Sequence, residues 1–150
     1  MKKIFTLLIL FLSYNNYAHS LIEVDITRGN LDPLPIAVSP LHVDPKSENQ
    51  DNLKIKKLGD NISDIIEKNF KSTGLFNPIK KDAFVQKPDI AHLKPRFEDW
   101  RLIKAQALVT GKILIVDDRL KVEFRLWDLT ASKEIIALAF TTTPSNWRRV

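Results

Sequence analysis

Three stretches in the last third of the chain keep the period of extended backbone, and their short connections leave room for little except an antiparallel sheet. Ala107 to Val116 (A-L-V-T-G-K-I-L-I-V) is almost continuously apolar and β-branched, which predicts a strand covered on both faces. Asp117-Asp118 makes a turn, since aspartate tolerates the backbone angles a tight reversal needs. Val122, Phe124 and Leu126 then alternate with Lys121, Glu123, Arg125 and Trp127. Thr130 to Lys133 turns again, and Glu134 to Thr142 reads as a third strand with Ile136, Leu138 and Phe140 on one face. Three such strands in succession form a meander.

Upstream the period changes. Ile55, Leu58, Ile62, Ile65, Ile66 and Phe70 fall on one stripe of a helix opening at an Asp51 cap. Gly74 stands where a left-handed residue ends such a helix, with Leu75 placed to fold back on the last turn. Gly59 lies inside the helix: either another backbone approaches it closely, or the helix restarts at Asp60. Ile36 to Ser39 reads as a short strand stopped by Pro40, and Asp44 to Gln50 as a polar loop. Ile79 opens another short strand, Lys80 to Lys94 is irregular and broken by Pro88, and Pro95 sits in the first turn of a second helix. Phe97 and Trp100, with Leu102 or Ile103, form that helix's apolar side. The expected class is α+β: a two-layer sandwich whose mixed sheet ends in the three-strand meander, with the two helices covering it. Pro144 to Val150 reads as the start of a further helix with Ser145 as cap and Trp147 as core residue, in a domain expected to be incomplete at this end.

At the other end, Lys2 and Lys3 precede the apolar run Ile4 to Leu12, and a polar stretch leads to Ala18-His19-Ser20. This is the layout of a secretory signal over residues 1–20, cut between Ser20 and Leu21 or after Ala18, and the run is too short for a spanning helix, which needs about 20 residues. No stable membrane insertion is expected. Leu21 to Ile26 (L-I-E-V-D-I) alternates Ile22, Val24 and Ile26 with Glu23 and Asp25 as a half-wet strand; Thr27, Arg28, Gly29 and Asn30 break it, and Pro33 and Pro35 set it apart from the domain beyond. The organisation is thus a signal at 1–20, a strand and flexible joint at 21–34, and a domain at 35–150. An amphipathic strand on a joint can pair with its own sheet or with the edge of another protein's sheet.

Chemistry is sparse. There is no cysteine, so neither a disulfide nor a thiolate is available. The net charge of +5 shrinks once Lys2 and Lys3 leave with the signal: 21 basic residues then face 18 acidic ones, for +3, with acids interrupting every basic run. A nucleic-acid binder needs a clustered basic face, which is missing. His42 and His92 read as isolated loop residues, no metal-ligand cluster or cofactor loop is apparent, and Asp117-Asp118 and Glu98-Asp99 read as turn and wet helix face rather than as an acid–base pair. No catalytic residue, cofactor or metal is expected. Trp127 lies opposite Phe124 and Leu126, on a face that packs on the helices or another domain, or binds a partner; Trp100 and Trp147 read as core anchors.

The segments together resemble the amino-terminal domain of the TolB family, part of the periplasmic Tol-Pal system. The resemblance is carried by L-I-E-V-D-I-T-R-G at Leu21, P-I-A-V-S-P-L at Pro35 and F-K-S-T-G-L-F-N-P at Phe70. It continues through Trp100, A-L-V-T-G-K-I at Ala107, V-E-F-R-L-W-D at Val122 and Trp147-Arg148. It implies an α/β domain preceding a β-propeller, and an extreme amino-terminal segment that binds the carboxyl-terminal domain of TolA by strand addition. Carried over by motif, that segment is Leu21, Ile22, Glu23, Val24, Asp25, Ile26, Thr27, Arg28 and Gly29; Asp25 stands where the family is apolar. The implied role is a monomeric, non-enzymatic periplasmic adaptor supporting outer-membrane integrity, cell division and protein import. Pal binds the family at the propeller, and the sequence holds no propeller repeats, so Pal is not expected to bind through this chain. The alternatives are a passive platform with its Trp127 and Phe140 regions against a missing partner domain, or a truncated fragment without function.

Overall fold

The structure, a computed structural model, describes residues 32–47 and 52–149. The expected signal, the Leu21–Gly29 strand and the Asp51 cap lie outside the described residues.

One six-stranded mixed sheet organises the domain. Its strands are β1 (Leu34–Val38), β2 (His42–Val43), β3 (Phe76–Pro78), β4 (Ala107–Val116), β5 (Arg119–Asp128) and β6 (Lys133–Thr142). The order is β3-β1-β4-β5-β6, with β2 also on β4. The meander appears as its alternation predicts: β4, β5 and β6 pair antiparallel, with Asp117 and Asp118 at φ 49° and 55° in the hairpin turn. β1 and β2 pair with β4 in parallel, Ile36 opposite Ala107 and His42 opposite Lys112. The strand expected at Ile36–Ser39 begins two residues earlier, and the one expected to open at Ile79 is Phe76–Pro78, with Ile79 N–H donating to the Ile36 carbonyl at 2.9 Å.

Helix α1 (Asn52–Ser72) runs unbroken through Gly59. A Cβ there would lie 3.3 Å from Leu41 Cβ, so close packing against the β1–β2 connection is the reason for glycine, and the helix does not restart at Asp60. Gly74 takes φ 71° as expected. Leu75 does not fold back: it is 45% exposed, its N–H is held by Thr73 Oγ1 at 3.2 Å, and the helix closes through Thr73 and Gly74 bonding three residues back. Short α2 (Pro88–Ala91) starts at Pro88, which opens a helical turn instead of only breaking the chain, because a first-turn residue needs no N–H. Helix α3 (Phe97–Leu102) begins after Pro95, with Trp100 buried, Ile103 half-buried and Leu102 exposed.

The class is α+β with a mixed sheet and a carboxyl-terminal meander, but the helices divide between the faces instead of sharing one. Period-two geometry sends Val109, Ile113 and Ile115 to the α1 side, where they meet Ile55, Ile62 and Ile66. Leu108 and Ala37 point the other way and pack with Ala91, Trp100, Trp127 and Leu129 beneath α2 and α3. The α2–α3 side is fixed by a buried amide: Gln86 Oε1 accepts from Trp100 Nε1 at 2.9 Å and from the Arg96 N–H at 3.0 Å. After β6, Pro144–Arg149 forms a 3₁₀ helix kinked at Asn146. Thr143, rather than Ser145, holds its start through its carbonyl and hydroxyl, and Trp147 packs half-buried on the α1-side core.

Candidate functional site

The described surface contributes two places where side chains gather. The first is an apolar groove on the α1 side, where the sheet extends past the helix. Ile66 and Phe70 form one wall, Val109, Phe124 and Leu126 the floor, and Ile136, Leu138 and Phe140 of β6 the far side, enclosing about 300 Å³. Phe124 and Phe140 meet edge to face at 6.1 Å. Ile136, Leu138 and Phe140 are 40–47% exposed, so the face expected from alternation exists but nothing described covers it. A shift in register between Leu126 and Trp127 leaves Ile135 as an extra residue on β6, turned out to solvent. Among the described residues β6 is also the last strand of its sheet, with no described strand on its outer backbone groups. Groove and edge together can accept an apolar extended or helical segment.

The second place joins residues that stand far apart in the sequence. His42 lies in β2, not in a loop, and its ring stacks on that of His92 just past α2, with centroids 4.0 Å apart and planes 8° from parallel. Burial, and next the proximity of His92, hold the His42 imidazole below its usual pKa of 6.5, against the opposing pull of Asp89 and Asp44. Stacked rings present faces rather than nitrogens, and among the described residues no cluster of three potential metal ligands occurs. Nearby, Lys112 Nζ lies 3.3 Å from Asp44 and 3.5 Å from Glu123. The Asp44 carboxyl falls below its usual value mainly because it accepts from the Lys46 N–H, and Glu123 mainly because it accepts from Lys121.

The remaining candidates resolve plainly. Asp117 and Asp118 are exposed turn residues. Glu98 and Asp99 pair with Arg101 and Arg96 on the surface of α3. Trp127 is buried against Phe97, its Nε1 donating to Thr110 Oγ1 at 2.8 Å; of the two regions considered as an outward platform, only that around Phe140 is exposed. The histidine pair has no local signal, and alternation shows only the β6 face of the groove, because the rest depends on which distant segments the sheet brings together.

Comparison with known proteins gives three kinds of match. A family model described as the TolB amino-terminal domain matches residues 22–135. The Tol-Pal system protein TolB of Pelagibacter ubique (strain HTCC1062) is 63% identical over 146 residues, covering 96% of this chain and 33% of that protein. The chain therefore spans about a third of that relative's length. Among solved structures, TolB from Acinetobacter baumannii aligns with a TM-score of 0.55 at 18% identity, over 78% of this chain and 25% of the other. The carboxyl-terminal domain of LpoB from Salmonella enterica gives 0.55 at 8% identity, over 77% and 86%. These two structures share the fold alone.

Proposed function

The chain belongs to the TolB amino-terminal domain family, and on that premise we propose that it is a periplasmic, non-enzymatic adaptor of the Tol-Pal system that docks the carboxyl-terminal domain of TolA through Leu21 to Gly29. The observation that carries the reading is the sequence of that segment. Ile22, Val24 and Ile26 recur at period two directly before Gly29, in a stretch that the family match begins to cover at residue 22. Strand addition draws its affinity from main-chain hydrogen bonds and its selectivity from alternate side chains. Asp25 stands where the family is apolar, but the main-chain ladder of strand addition does not depend on that side chain. In this role the adaptor supports outer-membrane integrity and constriction during division.

The test is titration of a TolA carboxyl-terminal domain with the full chain and with a chain lacking 21–29. Binding lost on deletion supports strand addition; equal binding by both chains rejects it.

A second reading is favoured by the open groove. On this reading the α1-side face of β5 and β6 is a platform on which a further domain or partner packs. It predicts that the chain binds an apolar-surface dye, and that Leu138→Asp abolishes this binding while leaving the circular dichroism spectrum intact. Dye binding unchanged by the substitution would reject the platform.

A further inference from the structure

We propose that the stacked His42–His92 pair is a proton-operated latch that fastens the 87–93 segment to β2 and releases it on acidification. The segment has few other fasteners, the long bond from Arg125 Nη1 to the Leu93 carbonyl at 3.4 Å tying its end to β5 rather than to β2. Helix α2 is a single turn whose one buried side chain is Ala91, and its neighbours on the sheet are β2 and β4. Upstream, Gln86 ties the chain to Trp100 and Arg96 rather than to β2. The histidine stack is thus the side-chain contact that joins the end of α2 to the strand, with His92 Nδ1 also 3.1 Å from the Pro88 carbonyl oxygen.

Neutral imidazoles stack without penalty, whereas two imidazolium rings at this separation repel. The surrounding charges do not offset a second proton. Asp44 faces His42 but is already bonded to Lys112 and the Lys46 N–H. Lys112 itself opposes charge on His42, and Asp89 favours it. In the hollow beside His42, Lys56 and Lys87 balance Asp60 and Asp89. On the His92 side, Glu123 is paired with Lys121 and Lys112, and Arg125 with Glu134. Burial adds to the bias, because the fold favours neutral His42. The latch is therefore closed above the ordinary histidine value of 6.5 and loosens as pH falls below it.

Opening has a structural consequence. His42 lines a hollow of about 300 Å³ and His92 one of about 50 Å³, and residues of the 87–93 segment wall both. Releasing the segment removes a wall from each of them.

Amide hydrogen exchange on the full chain tests this. Protection of a peptide covering 87–93, corrected for the intrinsic rate, should fall about tenfold between about pH 7.5 and about pH 5, while protection of β4 stays constant. The double substitution His42→Phe and His92→Phe keeps an aromatic stack without a titrating group, and should hold protection at both pH values. In the unsubstituted chain, the ring protons of His42 followed by NMR should titrate in step with the loss of protection. Equal protection at both pH values, His42 titration without loss of protection, or the same loss in a folded double variant overturns the latch.

Discussion

Strands β4 and β6 are each ten residues long and mostly apolar, yet they end in opposite surroundings. Residues 107–111 of β4 are buried throughout, with α1 on one face and α2 and α3 on the other. No residue of β6 is buried, although Ile135, Ile136, Leu138 and Phe140 are as apolar as anything in β4. The difference lies in position and not in composition. β4 is flanked by strands on both sides and sits beneath the helices; β6 is the outermost strand, beyond the reach of α1. Apolar content states how much a strand gains from cover, and topology decides whether it receives it.

The contrast can be broken at the core first. Trp100→Ala removes the largest fully buried side chain and leaves Gln86 Oε1 short of one donor, and should cost about 3–5 kcal/mol in a urea titration. A cost below about 1 kcal/mol would show that the α3 side does not pack around this tryptophan. A smaller effect sharpens the electrostatic side of the comparison. Asp44 and Glu123 titrate below their usual values of 3.8 and 4.5 in the folded chain. Their stabilisation is therefore full above those values and is lost as pH falls below them and through the lower values of the folded chain. Lys112→Met weakens the depression, so the acid loss between about pH 5 and about pH 3 should shrink, by less than about 1 kcal/mol. An unchanged acid profile would remove Lys112 from the account. Least affected should be Leu138→Ser on β6, within about 0.5 kcal/mol of the parent because the side chain is already 47% exposed. A cost near the 2–5 kcal/mol of a core leucine would mean that β6 is covered in solution.

Local signals are legible where the physics is local. Alternation and short turns are properties of adjacent residues, and β4 appears at Ala107–Val116 and β5 with the expected alternation through Trp127. Gly74 has the left-handed backbone that helix termination favours. The near-continuous apolar run of β4 already requires cover on both faces, and that requirement is a better guide than the expected single layer of helices. The parallel pairing of β1 with β3 and β4 leaves no local trace, because hydrogen bonds between distant segments impose no pattern on either. His42 and His92 are illegible for the same reason: their ring contact exists only because β2 lies on β4 and α2 returns beside it. The groove is half legible. The Ile136-Leu138-Phe140 face is plain from period two, but its lack of a lid depends on where α1 stops.

The pairing of β1 with β4 sets a timetable for assembly. Residues 36–38, among the most deeply buried in the sheet, come early in the chain and are apolar, yet Ile36, Ala37 and Val38 find their rungs on Ala107, Leu108 and Val109. The hairpins of β4, β5 and β6 close over short loops and can form quickly, whereas the seam between β1 and β4 must bridge everything in between. Until β4 docks, the front of the domain is a greasy thread waiting for its neighbour, held back from stray contacts by little besides its own short length.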